Sequence, residues 1–283
     1  MKKIGFFEFG KKTYIMGILN VTPDSFSDGG KFFSIYDAVN QALRMQNEGA
    51  DIIDIGGEST RPGAKEVTVE EERGRVIPVL EKLVRKIKIP ISIDTYKSEI
   101  AKEALKLGAK MVNDVTALRG DMNLARVVAH YNVPICLMHM KGEPRNMQEN
   151  PSYKDVVKEI SIFLKERADY AVSCGIKKDK IIIDPGLGFG KRTGKGTEDN
   201  CEILHRLSEF KELGFPIMIG PSRKTFIGNV CGKDIQLPLT ERLEGSLAAA
   251  CAAVLNGADI VRVHDVKETR RCINLIDCII RKN

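Results

Sequence analysis

The chain has 283 residues, of which 43% are hydrophobic and 29% charged, and it contains no Trp. That composition is globular and excludes disorder and collagen-like repeats, while at ~150 residues per domain the length allows one or two domains. The net charge of +6 and pI of 8.8 fall short of a nucleic-acid binder's balance, and no basic run is interleaved with aromatics, so no nucleic-acid partner is expected.

The first predicted strand is YIMGIL at 14–19, followed by a long connection over 20–33. A helix over 34–48 carries Ile35, Ala38, Val39, Ala42 and Leu43 at helical spacing and stops at Gly49-Ala50. The strand DIIDIG follows, then a second long connection over 56–67. Thr68 and Glu71 form a capping box that opens a helix over 69–87. Pro90 leads into the strand ISID, a helix over 97–107, Gly108-Ala109 and the strand KMVND. After a helix over 122–131, Pro134 leads into ICLMH, and a helix over 152–174 precedes KIIID at 180–184. A helix over 199–213, Pro216, the strand IMIG, a helix over 240–256, Gly257-Ala258, the strand DIVRV and a helix over 266–281 complete the chain. The recurrent Gly suits a helix C′ position, where the left-handed conformation ends the helix.

The apolar runs number eight, are rich in Ile and Val, and alternate strictly with helical patterns. Near-continuous apolarity implies strands buried on both faces, hence a parallel sheet. Eight such units predict an α/β fold, a (β/α)8 TIM barrel occupying residues 1–283 as a single domain. An open doubly wound sheet is the weaker alternative, because the first strand is not followed by Gly-x-Gly-x-x-Gly. No apolar run reaches the ~20 residues of a bilayer span. Glu8 and Lys11 interrupt the N-terminal segment before it reaches signal-peptide length. A cytoplasmic protein with no membrane partner is expected. The seven cysteines are odd in number, lack any Cys-x-x-Cys, and read as reduced thiols.

A barrel gathers all strand ends at one face, where barrel active sites lie. The apolar runs here end in Asn20, in Gly56 through Arg61, in Asp94, in Asn113-Asp114, in Met138-His139, in Asp184, in Ser222 through Lys224, and in Arg262 through His264. Any one Asp or Asn is equally well a helix cap or turn residue. Together they predict a polar mouth. Arg61, Arg262, Lys224 and His264 supply cationic donors suited to phosphate. Asp94, Asn113 and Asp184 supply acceptors suited to the N–H edge of a heterocycle. The turn from Asp184 to Lys191 is rich in glycine, which admits close backbone approach to a flat ligand. No transition-metal signature occurs, but Mg²⁺ bridged by phosphate with one or two protein oxygens is compatible. His139 reads as packing at the mouth, and His130 and His205 as solvated helix residues.

These residues carry a resemblance. Met16 through Gly30, with Asn20, Phe26 and Asp28, is similar to the first signature of dihydropteroate synthases, and Asp54 through Gly63 to the second. The likeness continues in order through Ser92-Ile-Asp94-Thr, Asn113-Asp-Val, Asp184 through Lys191, Gly220 through Lys224 and Arg262-Val-His264-Asp-Val. It implies that 6-hydroxymethyl-7,8-dihydropterin diphosphate condenses with p-aminobenzoate to give 7,8-dihydropteroate and diphosphate. It also implies roles. Asp184, with Asp94, Asn113 and Lys224, resembles the pterin site. Thr60, Arg61, Arg262 and His264 resemble the diphosphate site, and Asn20 the Mg²⁺ ligand. Phe26, Pro62 and Ser222 resemble the p-aminobenzoate pocket. Asp28 belongs to the first loop and, with Asp94, Asn113 and Lys224, makes up the implied catalytic set. The helix containing Gly245 through Ala253 is small on nearly every face, and the resemblance implies a homodimer through this region. Two rivals are a methyltetrahydrofolate:corrinoid methyltransferase, told apart by cobalamin dependence, and a non-catalytic pterin-binding protein, told apart by diphosphate release.

Overall fold

The computed structural model describes residues 2–22, 35–59, 63–64, 66–143, 145–194, 198–232 and 235–281. A short antiparallel hairpin, β1 (Lys2–Ile4) and β2 (Phe7–Phe9), leads into the barrel. The barrel strands are β3 (Tyr14–Asn20), β4 (Ile52–Gly56), β5 (Ile91–Asp94), β6 (Met111–Asp114), β7 (Ile135–Met138), β8 (Ile181–Asp184), β9 (Met218–Ile219) and β10 (Ile260–Val263). They pair in parallel in the order β8-β7-β6-β5-β4-β3-β10-β9. A parallel bridge between Ile183 and Ile217 joins the two ends and closes the barrel, as the sequence predicts.

Period-two alternation of the strands sorts every side chain to one of two faces. Ile15, Leu19, Ile53, Ile55, Ile93, Val112, Leu137, Ile183 and Val261 face outward and pack under the helices in the main core. The opposite parity faces the barrel axis. Its lower part is apolar: Tyr14, Met16, Ile52, Met111, Cys136, Ile182, Met218 and Ile260 form one cluster with Ile4, Phe7 and Phe9 of the hairpin. The hairpin thus stoppers the bottom. Phe7 and Phe9 stack at 5.0 Å, the Tyr14 ring meets Phe7 edge-on at 5.0 Å, and the Glu8 N–H donates to the Tyr14 hydroxyl at 2.7 Å. Burying Phe7 alone contributes about 1.5–3 kcal/mol. Higher up, the same inward parity holds Asp54, Asp94, Asn113, Asp184 and Arg262.

The helices around the sheet are α1 (Ile35–Asn47), α2 (Val69–Leu83), α3 (Ser98–Leu107), α4 (Leu124–Tyr131), α5 (Val156–Ser173), α6 (Asp199–His205), α7 (Thr225–Gly232), α8 (Leu243–Leu255) and α9 (Val266–Ile280). The capping box at α2 is present: the Glu71 N–H donates to Thr68 Oγ1 at 3.2 Å and the Thr68 N–H to Glu71 Oε2 at 3.1 Å. Gly49, Gly108 and Gly257 all sit at positive φ, as their helix-ending role requires. Three features differ from expectation. The hairpin was not predicted, since strands of three residues leave no period to read. The predicted helix over 199–213 breaks after His205 into a 3₁₀ segment, Leu207–Leu213. A further helix, α7, fills the gap after β9. Gly228 and Gly232 lower its propensity, but a Cβ on Gly228 would stand 2.8 Å from Leu237 O. No helix among the described residues is long and apolar enough to cross a membrane.

Candidate active site

The carboxyl ends of the strands bring Asn20, Asp94, Asn113, Asp184, Ser222, Lys224, Arg262 and His264 to one end of the barrel. Phe26, Asp28, Thr60, Arg61 and Pro62 lie outside the described residues.

At the floor, one guanidinium holds two carboxylates. Arg262 Nε donates to Asp54 Oδ2 at 2.7 Å and Nη2 to Asp94 Oδ2 at 2.6 Å. Asn113 Nδ2 also donates to Asp54 Oδ2, at 2.9 Å. Asp54 is wholly buried. Burial works against the Arg262 charge, but Asp54 and Asp94 outweigh it and hold the guanidinium above its ordinary range. Burial pushes Asp94 up to about 7, against the pull of Arg262 and with the repulsion of Asp54. Asp54 Oδ1, Ser92 Oγ and Asn113 Oδ1 are buried with no hydrogen-bond partner among the described residues. Leaving such atoms bare costs about 1–3 kcal/mol each, so this floor is built to receive donors.

Asp184 ends β8 at 4% exposure. Its Oδ1 accepts the Gly186 N–H at 2.7 Å, and its backbone carbonyl accepts the His139 N–H at 2.8 Å. Burial raises its carboxyl to about 6, while Gly186, Lys224 and Arg262 hold it down. The Gly-rich turn presses against the strand beside it. A Cβ on Gly186, at φ +72°, would lie 2.0 Å from His139 O, so only glycine fits. Asn200 Oδ1 accepts the Gly188 N–H at 2.7 Å, Gln148 Nε2 donates to Gly188 O at 2.6 Å and the Tyr153 hydroxyl to Gly190 O at 2.6 Å. Lys224 Nζ lies 4.2 Å over the Phe189 ring. His139 is a packed residue, as the sequence suggests, with its ring edge-on to Phe163 at 4.9 Å. His130 and His205 are exposed on their helices, again as expected.

After β9 the backbone turns sharply at Arg223, which adopts φ +58°. A non-glycine residue there costs about 1–3 kcal/mol. The turn is held by Ser246 Oγ, which accepts the Arg223 N–H at 2.9 Å, and by Arg242, which donates to Arg223 O at 3.1 Å. Arg223 itself pairs outward with Asp265. Ser222 Oγ accepts the His264 backbone N–H at 3.2 Å and lies 3.0 Å from His264 Nδ1. The hydroxyl keeps its proton and a second lone pair for Nδ1, so it serves either ring tautomer. Burial, with Arg223 and Arg262 nearby, lowers the His264 ring to about 3, so at neutral pH it is an uncharged donor.

The second long connection starts from an ionic base. Lys97, on the turn before α3, pairs with Glu58 and donates to Glu72 Oε2 at 2.7 Å. Glu58 Oε1 also accepts the Val67 N–H at 3.2 Å, clasping both ends of the connection. Sequence reasoning gave no role to Asp54 or Lys191. Asp54 was hidden in an Ile-rich run, and only strand parity marks it as inward. Lys191 is 1% exposed, where lysines are rare.

Residues 16–264 match the family of pterin binding enzymes. A dihydropteroate synthase of Synechocystis sp. is 46% identical over 275 residues, covering 97% of this chain and 93% of that one. Among solved structures, the Xanthomonas albilineans dihydropteroate synthase with 4-aminobenzoic acid superimposes with a TM-score of 0.88 at 45% identity, covering 96% of this chain and 94% of the other. The same enzyme in complex with 7,8-dihydropteroate gives a TM-score of 0.85 at 43% identity, covering 96% and 95%.

Proposed function

The chain belongs to the dihydropteroate synthase family of transferases, and from that premise we propose that it joins 6-hydroxymethyl-7,8-dihydropterin diphosphate to p-aminobenzoate, releasing diphosphate and 7,8-dihydropteroate. The observation that carries this reading is the inward floor: Asp184, Asp94 and Asn113, from three strands, with buried acceptors still open at Asn113 and Asp54. A planar ring with several N–H donors satisfies such a floor.

In this reading Asp184 accepts two N–H bonds from the amino-pyrimidinone edge. Asn113, Asp94 and Lys224 bind the rest of the ring. The bond that breaks joins the exocyclic CH₂ to the diphosphate oxygen. The dihydropterin ring delocalises the cation that develops, and fixed donors stabilise the departing anion. In the tautomer that carries its proton on Nε2, with Ser222 donating to Nδ1, His264 donates to the diphosphate without needing to be charged. Arg262, tied to two carboxylates, adds its field from the floor. Thr60 and Arg61 complete the diphosphate site. Phe26, Pro62 and Ser222 form the p-aminobenzoate pocket. The amine nitrogen attacks the CH₂ and then loses a proton to solvent. Asp28 belongs to the first loop, which keeps water from intercepting the cation.

The donor set near the mouth suits Mg²⁺. Asn20, half-buried at the end of β3, offers a neutral amide oxygen. A single such donor fits a hard ion that keeps its waters and takes its other oxygens from phosphate. When bound, the ion neutralises diphosphate charge.

The whole chain acts as one pterin-binding domain in the cytoplasm, with small-molecule substrates and no nucleic-acid or membrane partner. A homodimer through α8 and α9 is supported by exposed Leu255, Leu275 and Ile279. Sedimentation of wild type against Leu275→Glu tests it. The decisive assay incubates the protein with both substrates, with Mg²⁺ and with a chelator. Dihydropteroate and diphosphate should form in equal amounts, faster with Mg²⁺. Absence of dihydropteroate under both conditions rejects the reading.

A further inference from the structure

Lys191 is a buried amine whose hydrogen-bond partners among the described residues are all neutral; burial pulls its ammonium down to about 7, while Asp184 and Asp199 hold it up. Its Nζ donates to Gly186 O at 2.8 Å and to Phe189 O at 2.9 Å, and lies 3.0 Å from His139 Nδ1. Burial and the neighbouring Lys191 charge lower the His139 ring to about 2. That ring is therefore neutral and its Nδ1 accepts. The three protons of the ammonium meet three acceptors, which satisfies it fully.

Two of the three acceptors lie one step from Asp184, and the third one step from Lys224. Gly186 is the residue whose N–H donates to Asp184 Oδ1, and His139 is the residue whose N–H donates to Asp184 O. Phe189 carries the ring that sits under Lys224 Nζ. A side chain that only filled space here would be apolar, since an ion costs far more to bury. What the Lys191 head group supplies instead is a three-point tie between the turn and the strand beside it, and its protonated form is favoured by the Asp184 carboxylate.

We propose that Lys191 is a positioning residue for the pterin half of the reaction, holding the 184–190 turn in the shape that sets Asp184, Phe189 and Lys224 against the ring. The proposal rests on the reaction given above. It assigns Lys191 no contact with substrate.

The test is steady-state kinetics of wild type, Lys191→Met and Lys191→Gln, with calorimetry using inorganic diphosphate. Wild-type turnover is measured first, and its absence rejects the proposed reaction rather than the role of Lys191. Given turnover, Lys191→Met should raise the KM for the dihydropterin diphosphate by about tenfold or more. The KM for p-aminobenzoate at saturating pterin, and the Kd for inorganic diphosphate, should stay within about threefold of wild type. Gln, which retains donors for the two carbonyls, should fall between wild type and Met. A purely structural role would lower the active fraction and apparent kcat while leaving every KM unchanged, and that result overturns the proposal. Should Lys191→Met fail to fold, Lys191→Gln and His139→Gln decide: an unchanged pterin KM in both overturns it equally.

Discussion

Asp54 and Arg262 stand 208 residues apart in sequence and 2.7 Å apart in the barrel. Strand β3 lies between their strands, so this ion pair ties the inner wall across a neighbour rather than along a ladder. Removing one member of a buried pair leaves the other uncompensated. Arg262→Met should therefore destabilise the fold by about 3–5 kcal/mol. Adding Asp54→Asn and Asp94→Asn to that variant should recover most of the loss. Denaturant midpoints of the single and triple variants check both parts. A single variant as stable as wild type refutes the account of the floor.

Asp184 gives a prediction with two signs. Its carboxyl titrates near 6 when folded, against an ordinary value of 3.8. Between those values the unfolded chain binds fewer protons than the folded one, so this group's contribution falls as pH rises from 3.8 to 6. At neutral pH the ionised Asp184 thus costs the empty fold up to about 3 kcal/mol. Asp184→Asn keeps an acceptor for the Gly186 N–H and should melt no lower than wild type at pH 7. Ligand binding runs the other way. Only the carboxylate accepts two N–H bonds, so wild-type pterin affinity should climb through pH 6. In Asp184→Asn that climb should vanish, and affinity should drop by about a hundredfold, combining a lost charge-assisted bond with an unpaired donor. Calorimetry with a pterin at pH 5 and pH 7, alongside thermal melts, reads all of this.

Gly186→Ala should be far worse than its size suggests. Its φ of +72° alone costs an L-residue about 1–3 kcal/mol, and the added methyl would meet His139 O at 2.0 Å. Backbone cannot swing aside as a side chain does. The turn must therefore move, and both stability and pterin affinity should fall together. Ala at Gly194, also at positive φ but with nothing within 4 Å, should cost only the strain. Equal losses at the two positions contradict the close-approach argument.

Lys97 anchors the second long connection through Glu58 and Glu72. Lys97→Met leaves the buried Glu72 carboxylate and the half-buried Glu58 carboxylate without their shared cation and should cost about 3–5 kcal/mol. Because Glu58 also accepts the Val67 N–H, hydrogen exchange at Val67 should quicken in this variant under native conditions. Unchanged exchange there means Glu58 does not clasp the connection.

The barrel was legible because Ile- and Val-rich runs announce strands buried on both faces, and because each run ends in a polar residue. Asn20, Asp94, Asn113, Asp184 and His264 follow from that rule alone. Asp54 does not, since it sits mid-run where composition reads as core. It needed the register with Asn113 and Arg262, which only the closed sheet supplies. Lys191 was unreadable for the opposite reason. A lysine after a glycine turn is ordinarily solvated, and its burial depends on His139 arriving from another strand. The hairpin left no pattern because its strands are three residues long.

The stopper at the bottom of the barrel has a consequence in time. Ile4, Phe7 and Phe9 are synthesised before any of the residues they cover, and the last of those, Ile260, belongs to β10. Thr13 likewise hydrogen-bonds Asp277, 264 positions later. At a ribosomal pace of ~5–20 residues per second, that wait is roughly ten to fifty seconds. Throughout it, the three side chains meet only the early part of their cluster, Tyr14 and Met16 first, and the contact that seals them waits for the last strand. The first segment to leave the ribosome is thus sealed by one of the last, and the bottom of the barrel closes only when synthesis is nearly done.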